Sequence, residues 1–169
     1  GNLTNVEELR TRLNGRSCST SMDSELIVRL LELQKKDDVV EDLKVVLKML
    51  RGSFSLCIML PEMLIAVRDP SGNRPLCLGR KDESWFVSSE SCGFGGVNAE
   101  YVRDISPGEI LTIDALDGPR SWPFAEEKLH KCLFELNYFF HPSGRTFDEP
   151  VKHDRMRLGG APAQGPRAL

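Results

Sequence analysis

The chain is poor in aromatic residues, at 7% of its 169 positions, and has no apolar run long enough to cross a bilayer. No secretory leader pattern opens it. It has no basic run, and its formal net charge is -3. Nucleic acid is therefore not an expected partner, and neither is a membrane. Cysteine is sparse and unpaired: Cys18, Cys57, Cys77, Cys92 and Cys132 are odd in number, and no CxxC pair occurs. That pattern fits buried thiols better than a disulfide framework. Cys57, Cys77 and Cys132 fall inside apolar, strand-like runs, which predicts buried thiols in a reducing compartment, the cytoplasm or, in a plant, a plastid. His130, His141 and His153 lack metal-ligand spacing and read as solvated or interface side chains.

What is present is the composition of a globular domain with a real core. Apolar residues make up 40% of the chain and charged residues 28%. The first residue is Gly rather than Met, and the stretch from Gly159 (GGAPAQGPRAL) has no periodicity. Both ends are expected to be cut ends, the left edge inside a domain and residues 159–169 a disordered tail.

The first third carries helical periodicity. Val6, Leu9 and Leu13 share one face, and Asn14-Gly15 ends that helix. A second helix starts between Ser21 and Asp23, with Leu26, Ile27, Leu30, Leu31 and Leu33 as its stripe and Glu25 in the first turn. A third spans Val40 to Leu50. From Gly52 the period becomes 2. Ser53 to Leu60 and Met63 to Val67 read as a hairpin, and Asp69 to Asn73 as a dense turn. Short strands follow at Pro75 to Leu78, Trp85 to Ser88, Glu109 to Asp114 and Cys132 to Phe140. Helices followed by an antiparallel meander predict an α+β fold.

Read as bare residues, RDPSGNRPL (Arg68 to Leu76) is a turn in which Asp69 accepts from nearby backbone amides and Arg68 and Arg74 are solvated. The same segment, after the strand GSFSLCIM from Gly52, is similar to the RDPxGxRPL segment of class II glutamine amidotransferases. Asparagine synthetases carry related versions. Three further stretches resemble the amidophosphoribosyltransferases in particular: WFVSSESCGF (Trp85 to Phe94), YVRDISPGEIL (Tyr101 to Leu111) and CLFELNYFFHPSG (Cys132 to Gly144). The resemblance covers about residues 1–158. It implies a partial Ntn-hydrolase-type (αββα) glutaminase domain over 1–145, the start of a linker over 146–158, and an absent phosphoribosyltransferase half. No Asp-Asp pair sits in an apolar strand, where that half would bind diphosphate.

The resemblance also assigns residues. GNLTNVEELR is similar to the family's HNGNLxNxxxLR segment, so Gly1 corresponds to the oxyanion-hole glycine, with the asparagine partner upstream. An oxyanion needs donors aimed at it, and glycine lets the backbone come close. STSMDSE (Ser19 to Glu25) is similar to xTSDSE, which makes Asp23 the carboxylate for the glutamine α-ammonium. The competing reading is that Ser21 or Asp23 is simply an N-cap. Cys132 corresponds to one ligand of the [4Fe-4S] cluster of some family members, against the plain reading of a buried apolar thiol. One thiolate cannot hold a cluster. Tyr138 corresponds to a tyrosine near the interdomain contact, against a half-buried strand aromatic. No residue matches the family's amino-terminal cysteine nucleophile.

The parent reaction implied is transfer of glutamine ammonia to phosphoribosyl pyrophosphate in purine synthesis, with glutamine as the partner of this region and the acceptor bound by the missing half. Magnesium, a [4Fe-4S] cluster and homo-oligomer contacts belong to the full-length parent, and this chain needs no cofactor of its own. The isolated chain is expected to be inactive and unstable. The alternatives are a domain of an asparagine synthetase-like amidotransferase and a non-catalytic truncated product that binds a partner or regulates.

Overall fold

The computed structural model describes residues 1–34, 38–128, 130, 134, 138–146 and 149–160. In chain order its elements are β1 (Asn2–Leu3), α1 (Val6–Thr11), α2 (Asp23–Glu32), α3 (Val39–Leu47), β2 (Gly52–Ser53), β3 (Ser55–Met59), β4 (Met63–Arg68), β5 (Cys77–Lys81) and β6 (Ser84–Ser88). A 3-10 helix (Ser91–Val97) follows, then β7 (Glu100–Asp104), β8 (Glu109–Asp114), β9 (Gly118–Pro123), β10 (Arg145–Thr146), β11 (Glu149–Pro150) and α4 (Val151–Gly160). The chain divides into two compact units, Gly1–Arg74 with Ser106–Leu129, and Pro75–Ile105 with His130–Leu169.

The first unit packs three amphipathic helices on an antiparallel sheet of order β3-β4-β8-β9. The expected stripe of α2 is buried at Leu26, Ile27 and Leu30. Asp38 caps α3, its side chain accepting from the Val40 and Glu41 amides at 2.8 and 3.3 Å. Val40, Leu43, Val46 and Leu47 then face inward. From the sheet, Ile65, Val67 and Ile110 join Leu9, Leu26 and Leu43 in one core. Truncating any of these to Ala leaves a cavity and costs about 2–5 kcal/mol. The hairpin read from the sequence is present, with Ser55 opposite Arg68 and Met59 opposite Leu64.

Cys57 departs from expectation: it is exposed. It alternates with Leu56 and Ile58, which pack against the core, so period 2 turns it to the opposite face of an edge strand. Cys77 is buried as expected.

The second unit is a smaller antiparallel sheet of order β6-β5-β7, and its β10–β11 pair leads into α4. The strand expected from Cys132 to Phe140 is not supported where the segment is described. Phe134 is helical, and Tyr138 and Phe139 lie in a wide helical turn. A short stretch rich in aromatic and aliphatic side chains suits strand and helix alike, and the described residues Phe134, Tyr138 and Phe139 are helical. Among the described residues, no helix is long and apolar enough to cross a membrane.

Candidate functional site

A cavity of about 350 Å³ opens in the first unit. Three pieces of chain line it: Gly1–Leu3, the start of α2 from Met22 to Ser24 with Ile27, and Ser53–Leu56. Gly1 and Asp23, assigned from separate motifs, thus share one cavity.

Two glycines bring the first and third pieces together. β1 pairs antiparallel with β2, Asn2 opposite Ser53 and Leu3 opposite Gly52. A Cβ on Gly1 would sit 2.5 Å from the Ser53 carbonyl oxygen and 3.0 Å from Phe54 Cα. A Cβ on Gly52 would strike the Asn2 carbonyl, and Gly52 also has φ +119°. No other residue type fits either place without moving the backbone. The Gly1 backbone is therefore held against the strand wall of the cavity.

Asp23 is fixed from the same side. Its Oδ2 accepts from the Leu3 amide at 3.0 Å, which joins the start of α2 to β1. Its Oδ1 has no hydrogen-bond partner among the described residues. The N-cap reading does not hold: Met22 occupies the cap with an extended backbone, no side chain caps there, and Asp23 is the first helical residue. Just before it, the Glu25 carboxylate gathers the Ser19–Thr20 turn. The bonds from Thr20 and Ser19 hold Glu25 well below the ordinary glutamate value, at about 2.

Asp69 of the RDPSGNRPL segment is tied to Phe54 in the cavity's strand wall. Asp69 is fully buried, accepting from the Phe54 amide at 3.3 Å through Oδ2 and from the Ser71 amide at 2.9 Å through Oδ1. Its own amide donates to the Phe54 carbonyl at 2.9 Å. Arg68 is not solvated as the bare reading expects. Only 3% of it is exposed, and its guanidinium donates to the carbonyls of Arg74 and Gly72, each at 3.0 Å. Two carbonyls inside the turn offer a guanidinium the acceptors that water would otherwise supply, which makes its burial tolerable. Arg74 is exposed, as expected.

In the second unit the SSES stretch serves as an anchor. Glu90 accepts from the His141 amide through Oε2 at 2.7 Å, and Ser91 Oγ accepts from the Arg145 amide at 2.7 Å. Two stretches that carry the sequence resemblance therefore hold each other. Cys92 lies 3.9 Å from Glu90 Oε2. Burial first, and then the neighbouring Glu90 charge, push its thiol pKa up, so it is a poor nucleophile.

Tyr138 is 81% exposed and packs edge-on against Phe139, not half-buried in a strand. Cys132 lies outside the described residues. Among the described residues no three His, Cys, Asp or Glu side chains converge to hold a metal ion. His130, His141 and His153 are exposed, as read from the sequence. None of the described cysteines lines the cavity. Sequence reasoning read the Ser53–Leu56 stretch as a strand but missed that it lines the cavity.

Residues 1–94 match the family model of the glutamine amidotransferase domain. The chain belongs to the glutamine amidotransferase domain family. Within it, the chain is 39% identical over 178 residues to an amidophosphoribosyltransferase of Methanocaldococcus jannaschii, covering 94% of this chain and 38% of that protein. It is 37% identical over 190 residues to the amidophosphoribosyltransferase of Homo sapiens, covering 94% of this chain and 36% of the relative. The solved glutamine phosphoribosylpyrophosphate amidotransferase from B. subtilis, complexed with ADP and GMP, superposes with a TM-score of 0.93 at 32% identity. That match covers 99% of this chain and 37% of the solved one. The chain thus spans little more than a third of the amidotransferases it matches. Its fold is the Ntn-type glutamine domain, with helices against antiparallel sheets.

Proposed function

We propose that residues 1–145 are part of the glutamine domain of an amidophosphoribosyltransferase, with 146–158 the start of a linker, and that the cavity is the glutamine pocket. The observation that carries this reading is the meeting of Gly1 and Asp23 around one cavity, across 22 residues of chain. Asp23 pairs with the α-ammonium of glutamine. The Gly1 backbone stands where an amide oxygen gains charge as the carbonyl becomes tetrahedral. A cysteine thiolate attacks that carbon to form a thioester, the C–N bond breaks as the nitrogen takes up the proton released from the thiol and leaves as ammonia, and water then hydrolyses the thioester to glutamate. The ammonia then displaces diphosphate from phosphoribosyl pyrophosphate, giving phosphoribosylamine in purine synthesis.

On this reading the nucleophile and the acceptor site both lie outside these 169 residues. The family supplies its nucleophile from an amino-terminal cysteine, and no described cysteine reaches the cavity. Magnesium, or a cluster to which Cys132 gave a single thiolate, would belong with the acceptor half. Tyr138 would face that half. The family relatives favour this enzyme over an asparagine synthetase-like one.

Titrating the chain with L-glutamine and following its backbone amides by NMR tests the reading. Shifts are expected at Leu3, Met22 to Ser24 and Ser53 to Leu56, with no ammonia released. Shifts elsewhere, or none, would overturn the pocket, and ammonia release above buffer would overturn the placement of the nucleophile.

A further inference from the structure

Four hydrogen bonds end on one carboxylate next to the cavity, that of Glu25, which is not itself among the residues that line it. Glu25 Oε1 accepts from the Ser19 amide and the Ser19 hydroxyl, each at 2.8 Å. Its Oε2 accepts from the Thr20 amide at 2.7 Å and the Thr20 hydroxyl at 2.6 Å. An ionised carboxylate only accepts, so both hydroxyl protons must point at Glu25. The lone pairs of Thr20 Oγ1 are then turned away from Glu25, and Oγ1 accepts from the Met22 amide at 3.2 Å. Met22 is the residue before Asp23, is the cap of α2, and lines the cavity itself. The path from Glu25 through Thr20 and Met22 to Asp23 thus has its donors and acceptors fixed in one direction.

We infer that Glu25 is a positioning residue for the α-ammonium site: it locks the Ser19–Met22 turn so that Asp23 enters α2 with its carboxylate both bonded to Leu3 and available at the cavity. This rests on reading the cavity as the glutamine pocket. Glu25 is suited to the task because it stays ionised. Held at about 2, it is ionised and purely an acceptor from weakly acidic pH upward, and glutamine still carries its α-ammonium at neutral pH. A glutamine in its place would turn an NH₂ group toward some of these four donors and leave them unpaired. The turn has few other anchors, since Ser19, Thr20, Ser21 and Met22 are all exposed. Without Glu25 it has little to hold its shape.

The test compares two ligands on the full 169-residue chain, L-glutamine and 4-carbamoylbutanoate, which lacks the α-amino group. Glu25→Gln should weaken L-glutamine about tenfold and change the des-amino ligand by less than about twofold. In an Asp23→Asn background the same change should do nothing further, because two residues acting through one contact are not additive. Thr20→Val should reproduce the loss and Thr20→Ser should restore it, which keeps the test open if Glu25→Gln folds poorly. Equal weakening of both ligands, no weakening, or a full additional loss in the Asp23→Asn background would overturn the positioning role while leaving the pocket intact. If the unsubstituted chain fails to prefer L-glutamine over the des-amino ligand, the pocket reading itself falls, and this inference with it.

Discussion

Two carboxylate-centred turns of the first unit invite comparison, Arg68 to Arg74 around Asp69 and Ser19 to Met22 around Glu25. Both gather backbone amides onto a single carboxylate. Asp69 is fully buried and shares two hydrogen bonds with Phe54 across the strand wall. Glu25 is half-buried and holds a turn of exposed residues. The first turn is built into the core and carries the stronger sequence signature. The second sits beside the cavity and carries a weaker one. A prominent motif therefore marks what the fold needs for support, while the residue proposed to touch substrate comes from the less prominent turn.

The comparison breaks first at Asp69. Asp69→Ala leaves the buried Phe54 amide and the part-buried Ser71 amide without acceptors and should cost about 3 kcal/mol of stability, read from urea unfolding. An effect under about 1 kcal/mol would mean that the turn is not the support described here.

Gly1→Ala sharpens the comparison at an intermediate level. The new methyl collides with the Ser53 carbonyl, so β1 must separate from β2. A loss of about 1–3 kcal/mol is expected, together with weakened L-glutamine binding. Unchanged binding would show that the Gly1 backbone plays no part in the cavity.

The smallest effect concerns acid. Glu25 has a lowered folded-state pKa, so its contribution is complete above the ordinary value of 4.5 and fades as pH falls toward about 2. Side-chain carboxyl NMR should place its midpoint near the lower value, and Thr20→Val should raise it. A midpoint near the ordinary glutamate value would dissolve the four-bond arrangement.

Much of the first unit was legible because its residues repeat. Leu26, Ile27 and Leu30 announce α2, and Phe54, Leu56 and Ile58 announce the strand wall. Of the strands the sequence did not announce, β9 and β7 are the two long ones, and both are edges. β9 reads GPRSWP, and prolines are tolerated only where no neighbour needs their missing amide. β7 reads EYVRD, with charges where a central strand would show an apolar alternation. Arg68 looked solvated because an arginine in a turn normally is, and only the fold supplies its buried carbonyl partners. Gly1 and Asp23 were legible as separate motifs. Their meeting was not, because it depends on β1 closing onto β2, with Gly1 and Gly52 admitting the close approach of strands far apart in the chain.

The most direct test of the central claim is the affinity of the Asp23→Asn chain for L-glutamine against 4-carbamoylbutanoate. The unsubstituted chain should prefer L-glutamine by about tenfold or more, and Asp23→Asn should erase the preference while leaving the des-amino ligand unaffected. A preference that survives the substitution would contradict that claim.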